Sequence, residues 1–128
     1  MGDIWVALDW VARIGTAILF IKAGTNHIRK RKAMIAYVQS KHLPLAWLDV
    51  VGTGILMLAG SALLVSNWHP HWGAALIILF LVPTAFLMHN YWTETDPMVR
   101  SGQDAHFWKN LTIAFALLLY IVQGHLHR

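Results

Sequence analysis

The chain has no cysteine. It therefore does no thiol–disulfide chemistry, holds no iron–sulfur cluster through thiolates and carries no palmitoyl thioester, so any redox role needs a bound cofactor or a partner. Charge is scarce as well: 12% of the 128 residues are charged against 57% hydrophobic, too few for the wet surface of a soluble domain. Acidic residues are the scarcer sign, 6 Asp and Glu to 10 Lys and Arg, for a formal charge of +4. No internal repeat or low-complexity tract is present, and the length leaves room for one domain.

What is there is apolar sequence in long runs. Residues 4–23, 45–66, 72–88 and 107–123 are each long enough to cross a hydrocarbon core about 30 Å thick. Only closed backbone hydrogen bonding is tolerated in hydrocarbon. The runs therefore predict an all-α polytopic membrane protein, an antiparallel four-helix bundle forming one domain over residues 1–128. The first run exceeds the core of a secretory signal, has no basic residue ahead of it and no small-residue cleavage pattern after it. It carries Asp9, Arg13 and Lys22, and it reads as a retained helix.

Basic residues set the expected orientation. Lys22, Arg29, Lys30, Arg31, Lys32, Lys41, Arg100 and Lys109 flank the first and third loops, with only Arg128 on the opposite side and Arg13 inside a span. The positive-inside rule then predicts both termini outside and those two loops in the cytoplasm. The high pI has the same origin. Because the run at residues 29–32 is a single juxtamembrane cluster, it points to anionic lipid headgroups and not to nucleic acid.

Between the first two spans, Met34, Tyr37, Val38 and Lys41 recur at helical spacing, which predicts a short helix on the membrane surface, and Pro44 suits the first turn of the next span. The short segment 67–71 makes the second and third spans antiparallel neighbours, while residues 90–106, with Pro97 and Gly102, read as a loop long enough to be ordered over the bundle. Trp5, Trp10, Trp47, Trp68, Trp72, Trp92 and Trp108 fall near span ends, as an interfacial belt does. Pro83 lies inside the third span, where it frees the carbonyl of Leu79 and favours a kink. Gly52, Gly54, Ala59, Gly60 and Ser61 line the second span with small residues that permit close helix packing.

Polar residues inside spans carry more information, since an unpaired charge in hydrocarbon costs about 2.5 kcal/mol or more. In an antiparallel bundle, four span ends converge: Lys22, Thr25, Asn26 and His27 from the first, Asp49 from the second, His89 and Asn90 from the third, His106, Lys109 and Asn110 from the fourth. Such a set binds a polar headgroup and relays a proton, or else pins the helices together. Asp9 and Arg13, one helical turn apart, are expected to pair near the other face. His69, His71, His125 and His127 also lie there. They are weak candidates for copper or zinc, because residues two apart on a helix point in different directions, and no metal is expected. Bis-histidine haem is disfavoured too, as no histidine sits at mid-bundle.

Several segments in order, Arg13-Ile14-Gly15, Phe20-Ile21-Lys22-Ala23-Gly24, Leu43-Pro44 leading to Asp49, Phe86-Leu87-Met88-His89-Asn90-Tyr91-Trp92 and Phe107-Trp108-Lys109-Asn110-Leu111, resemble the DoxX family of small four-helix membrane proteins. His27 stands where that family commonly has lysine, and Asp49 where it has glutamate. The resemblance implies a bacterial or archaeal cytoplasmic membrane and membership of an oxidoreductase complex, since the namesakes look like subunits of thiosulfate:quinone oxidoreductase and others are linked to oxidative-stress defence. It carries over Arg13, Asp49, His89, Lys109 and Asn110 as matched polar positions, with His27 substituted.

Three functions follow as expectations. The first is a quinone-contacting subunit, not catalytic alone, in which His89 meets a quinone carbonyl, Asp49 orients or exchanges a proton, and His27 or Asn110 completes the pocket; no covalent cofactor is expected. The second is a structural or assembly subunit bound to larger redox subunits. The third is a small transporter working as a homo-oligomer. Lipids are partners in all three.

Overall fold

The computed structural model describes residues 2–128. The spans are α1 (Gly2–Arg29), α3 (Ala46–Ser66), α4 (Pro70–Met88) and α5 (Pro97–Leu126), with a short α2 (Arg31–Ser40) after α1 and one 3-10 turn (Tyr91–Thr93) before α5. All 4 long helices have the length and hydropathy to cross a membrane. The chain is all-α and multi-pass, an antiparallel bundle in which α1 packs on α3, α3 on α4 and α4 on α5. The seven tryptophans are all outward-facing, from 40% exposed at Trp10 to 69% at Trp68 and Trp72.

Two crossings explain where the small residues sit. A Cβ on Gly24 would lie 2.9 Å from the carbonyl oxygen of Gly54, so only hydrogen lets α1 and α3 meet there. A Cβ on Gly73 would come within 2.6 Å of the Gly60 carbonyl oxygen, and the α3–α4 crossing is equally close. Beside these crossings Phe20, Met57, Leu64, Ile77, Phe80, Leu81, Ala114 and Leu117 form one core drawn from all four spans. A second cluster, Val38, Ala46 and Val50 with Met34 and Leu43 beside them, seats α2 on the start of α3. The short helix thus packs on the bundle through its apolar side.

Three segments differ from expectation. α1 does not stop at residue 23, because Thr25 to Ile28 contain no breaker, and it runs to Arg29. Pro44 stands two residues before α3 and not in its first turn; the helix is entered through Leu45 in the left-handed conformation, φ 55°. Most of residues 90–106 is helix. Asp96 caps α5, its carboxylate accepting from the amides of Met98 and Val99 at 2.9 and 3.1 Å, and Pro97 takes the first helical position. Gly102 lies inside the helix, with nothing near its Cβ position.

Candidate functional site

α1 and α5 close no backbone contact comparable to those of the other neighbouring spans. Toward the basic end, where α2 and the 3-10 turn lie, their separation leaves a partly open cavity of about 390 Å³ between α1, α2, α3, α4 and α5. Leu19, Phe20 and Ala23 of α1 wall it, with Phe80, Leu81, Pro83, Thr84 and Leu87 of α4 and Ile113 of α5. α4 continues as helix through Pro83.

The sequence-predicted residues His27, Asp49, His89, Lys109 and Asn110 all line this cavity. His27 reaches it because α1 is longer than expected. Its Nδ1 lies 3.2 Å from the carbonyl oxygen of Val50 and 3.0 Å from the hydroxyl of Thr53, and its ring meets that of Phe80 edge-on at 5.7 Å. Thr53 in turn donates to the backbone carbonyl of Asp49. The Asp49 carboxylate, in the first turn of α3 where the helix dipole favours a negative charge, has no hydrogen bond among the described residues.

On the opposite wall His89 Nδ1 lies 2.7 Å from Gln103 Oε1, and the Gln103 amide nitrogen donates to the Tyr37 hydroxyl at 3.2 Å. His89 stacks obliquely on His106 at 5.2 Å, and Lys109 Nζ lies 3.4 Å from His106 Nδ1. Lys41, the residue that follows α2, ties that helix to the segment before α5, donating to Asn90 at 2.8 Å with Glu94 at 3.6 Å. Asn110 is the most telling member: it is only 6% exposed, it lines the cavity, and its side-chain amide has no partner among the described residues. Among the described residues the buried side-chain polar atom without a partner is Ser61 Oγ, which lies outside the cavity lining; the Asn110 amide keeps surface open to the cavity, where an entering group can reach it.

Arg13 is not part of this site. It lies fourteen residues before His27, about 21 Å along the helix axis. There its Nε donates to Asp9 at 2.6 Å and its Nη1 to Asn67 at 2.6 Å, tying α1 to the α3–α4 turn. Nor do the outer histidines assemble a metal centre. Among the described residues no group of three or more His, Cys, Asp or Glu is placed to hold an ion. His71 and His125 are edge-on at 6.5 Å, and His71 packs on Tyr120 at 4.9 Å. Asn26, Thr25 and Lys22 stay outside the cavity lining.

Two members escaped the sequence reading. Thr53 is four residues after Asp49, so a helical-face count would have found it. Gln103 falls in the stretch that hydropathy alone reads as a loop; the Asp96-Pro97 capping pair is the signal that the helix begins earlier and brings it over His89.

Comparison with known proteins agrees with this architecture. The family model named DoxX matches residues 8–90, most of the chain, and the protein belongs to that family. It is also similar to inner membrane protein YphA of Escherichia coli (strain K12), with 28% identity over 114 residues, 89% of this chain and 81% of the relative. No solved structure matches the chain.

Proposed function

We propose that this DoxX-family protein is a membrane subunit that takes the headgroup of a lipid-soluble quinone, or an amphiphile of the same shape and polarity, into the cavity between α1 and α5. In this reading it serves an oxidoreductase complex and is not an enzyme alone. The basic end faces the cytoplasm and both termini lie outside, in a bacterial or archaeal cytoplasmic membrane. The observation that carries the reading is that the Asn110 amide, without a hydrogen bond to another described residue, shares with two imidazoles, a carboxylate and an ammonium a cavity otherwise walled mainly by apolar side chains. A small apolar molecule with polar oxygens fits that mixture, and ligand sites commonly combine apolar walls with a few convergent polar groups. The loosely packed α1–α5 seam supports entry from the bilayer and not from water.

Purification in mild detergent followed by solvent extraction tests this. A quinone or related amphiphile should be retained by the wild-type protein and lost from Asn110→Leu of equal thermal stability. Retention unchanged in that variant, or no extractable amphiphile together with no binding of added quinone, would overturn the assignment.

One observation favours a second reading, an assembly subunit. α1 buries only Ala17, Phe20 and Gly24, and the rest of its apolar surface is free for lipid or a larger chain. A stoichiometric large partner whose binding is abolished by changes on the outer face of α1, with no ligand in the cavity, would decide for it. The small oligomeric transporter gains no support from a specific contact.

A further inference from the structure

The hydrogen-bonding groups of the cavity are not evenly divided between donors and acceptors. His27 decides its own tautomer. A backbone carbonyl only accepts, so the nitrogen 3.2 Å from the Val50 oxygen is the one that carries hydrogen. The Thr53 hydroxyl, whose proton goes to the Asp49 carbonyl, likewise accepts from that nitrogen at 3.0 Å. In the neutral ring the remaining nitrogen, Nε2, is then a lone-pair acceptor, and it has no partner among the described residues.

His89 repeats the arrangement on the facing wall. Its Nδ1 lies 2.7 Å from the Gln103 amide oxygen, whose own NH2 is turned to Tyr37. With the Gln103 amide oxygen toward the ring, Nδ1 carries the hydrogen and Nε2 is the lone-pair nitrogen of a residue that lines the cavity. The carboxylate of Asp49, an exposed residue on the same lining, is a further acceptor at the cavity's edge. Against these acceptors stand the Lys109 ammonium, already beside His106 at 3.4 Å, and the Asn110 amide, which offers a donor and an acceptor together.

We infer that the cavity is polarised toward hydrogen-bond-donating ligands and so holds the reduced, hydroxyl-bearing form of its headgroup in preference to the oxidised, carbonyl form. The inference rests on the quinone-type reading above. The two carbonyl oxygens of a quinone accept only. Set against the half-buried imidazole lone pairs, they would leave those acceptors unpaired. A hydroquinone donates one hydroxyl to an imidazole Nε2 or to Asp49 and accepts through the same oxygens from Asn110 or Lys109. Tighter binding of the reduced member raises the midpoint potential of the bound couple. A tenfold preference corresponds to about 30 mV for two electrons. In a reaction sequence the site therefore suits the product of a quinone-reducing step.

The test is anaerobic isothermal titration of the full-length detergent-purified protein with a decyl-substituted benzoquinone and, separately, with its hydroquinone. Wild type should bind the hydroquinone at least about tenfold more tightly. In His27→Gln, whose amide rotates to present either a donor or an acceptor, that ratio should shrink to about threefold or less, a change in selectivity that a merely structural role for His27 would not produce. Equal or tighter binding of the quinone by wild type overturns the polarity while leaving the quinone site standing. Saturable binding of neither form overturns both. If His27→Gln does not fold, the wild-type ratio alone decides.

Discussion

The imidazole of His27, on α1, donates through Nδ1 to the backbone carbonyl of Val50, on α3, at 3.2 Å. This bond joins the two helices one turn beyond the Gly24–Gly54 crossing and leaves the other ring nitrogen to the cavity. The same side chain is thus a tie between helices and a member of the candidate site. The experiments most useful for this protein are those that separate the two roles.

His89→Gln and Asp49→Asn keep size and hydrogen bonding while removing a titrating or charged group. Each should leave the bundle folded and reduce quinone or hydroquinone affinity at least about tenfold, about 1.4 kcal/mol. Thermal stability in detergent and ligand titration on the same preparations check this. A fall in melting temperature with unchanged affinity would mark the cluster as a helix tie only.

The glycines should divide sharply. Gly73→Ala places a methyl group 2.6 Å from the Gly60 carbonyl and Gly24→Ala one 2.9 Å from that of Gly54, so both helices must separate. Each should destabilise by about 1–3 kcal/mol. Gly102→Ala meets nothing within 4 Å and should stabilise α5 by about 0.5–1 kcal/mol. Detergent melting curves compare the three directly.

Arg13 holds α1 to the α3–α4 turn through Asp9 and Asn67, both at 2.6 Å. Arg13→Leu should lower stability by about 0.5–1.5 kcal/mol, because both bonds are partly exposed and the Asp9 pair is an i,i+4 pair. It should leave headgroup affinity within about twofold, because the clamp lies about 21 Å from His27. A large affinity loss at unchanged stability would return Arg13 to the binding site.

Orientation is checked by single cysteines in this cysteine-free background. Ser40 and Gly102 lie exposed at the basic end, and Trp68, 69% exposed, lies at the opposite turn. In intact cells an impermeant thiol reagent should label Trp68→Cys and spare Ser40→Cys and Gly102→Cys. The reverse pattern would invert the proposed topology. Asn67 is unsuitable as a probe because it accepts from Arg13 and holds a left-handed backbone, φ 57°.

Much of the architecture was legible in the chain because hydrocarbon imposes a simple rule. A run such as residues 45–66 has no option but a helix, and the short link read at 67–71 makes α3 and α4 antiparallel neighbours. The convergence of His27, Asp49, His89, Lys109 and Asn110 at one end followed from the alternation of direction alone. The start of α5 was harder, because residues 97–106 are too polar to register as membrane-spanning while their capping pair starts a helix regardless.

The composition and order of the sequence determined that this is a four-span membrane protein, which end is basic, and which polar side chains share that end, since hydropathy, charge and helix direction are properties of the chain alone. Only the tertiary structure decided that α1 and α5 stay apart and leave a cavity, that Arg13 is claimed by Asp9 and Asn67 instead of the site, that His27 commits Nδ1 to the Val50 carbonyl, and that His89 Nδ1 meets the Gln103 amide. Those outcomes depend on where helices cross. The crossings depend on a few tenths of an ångström at Gly24, Gly54, Gly60 and Gly73, a scale set by packing between segments distant in sequence and invisible to any one of them.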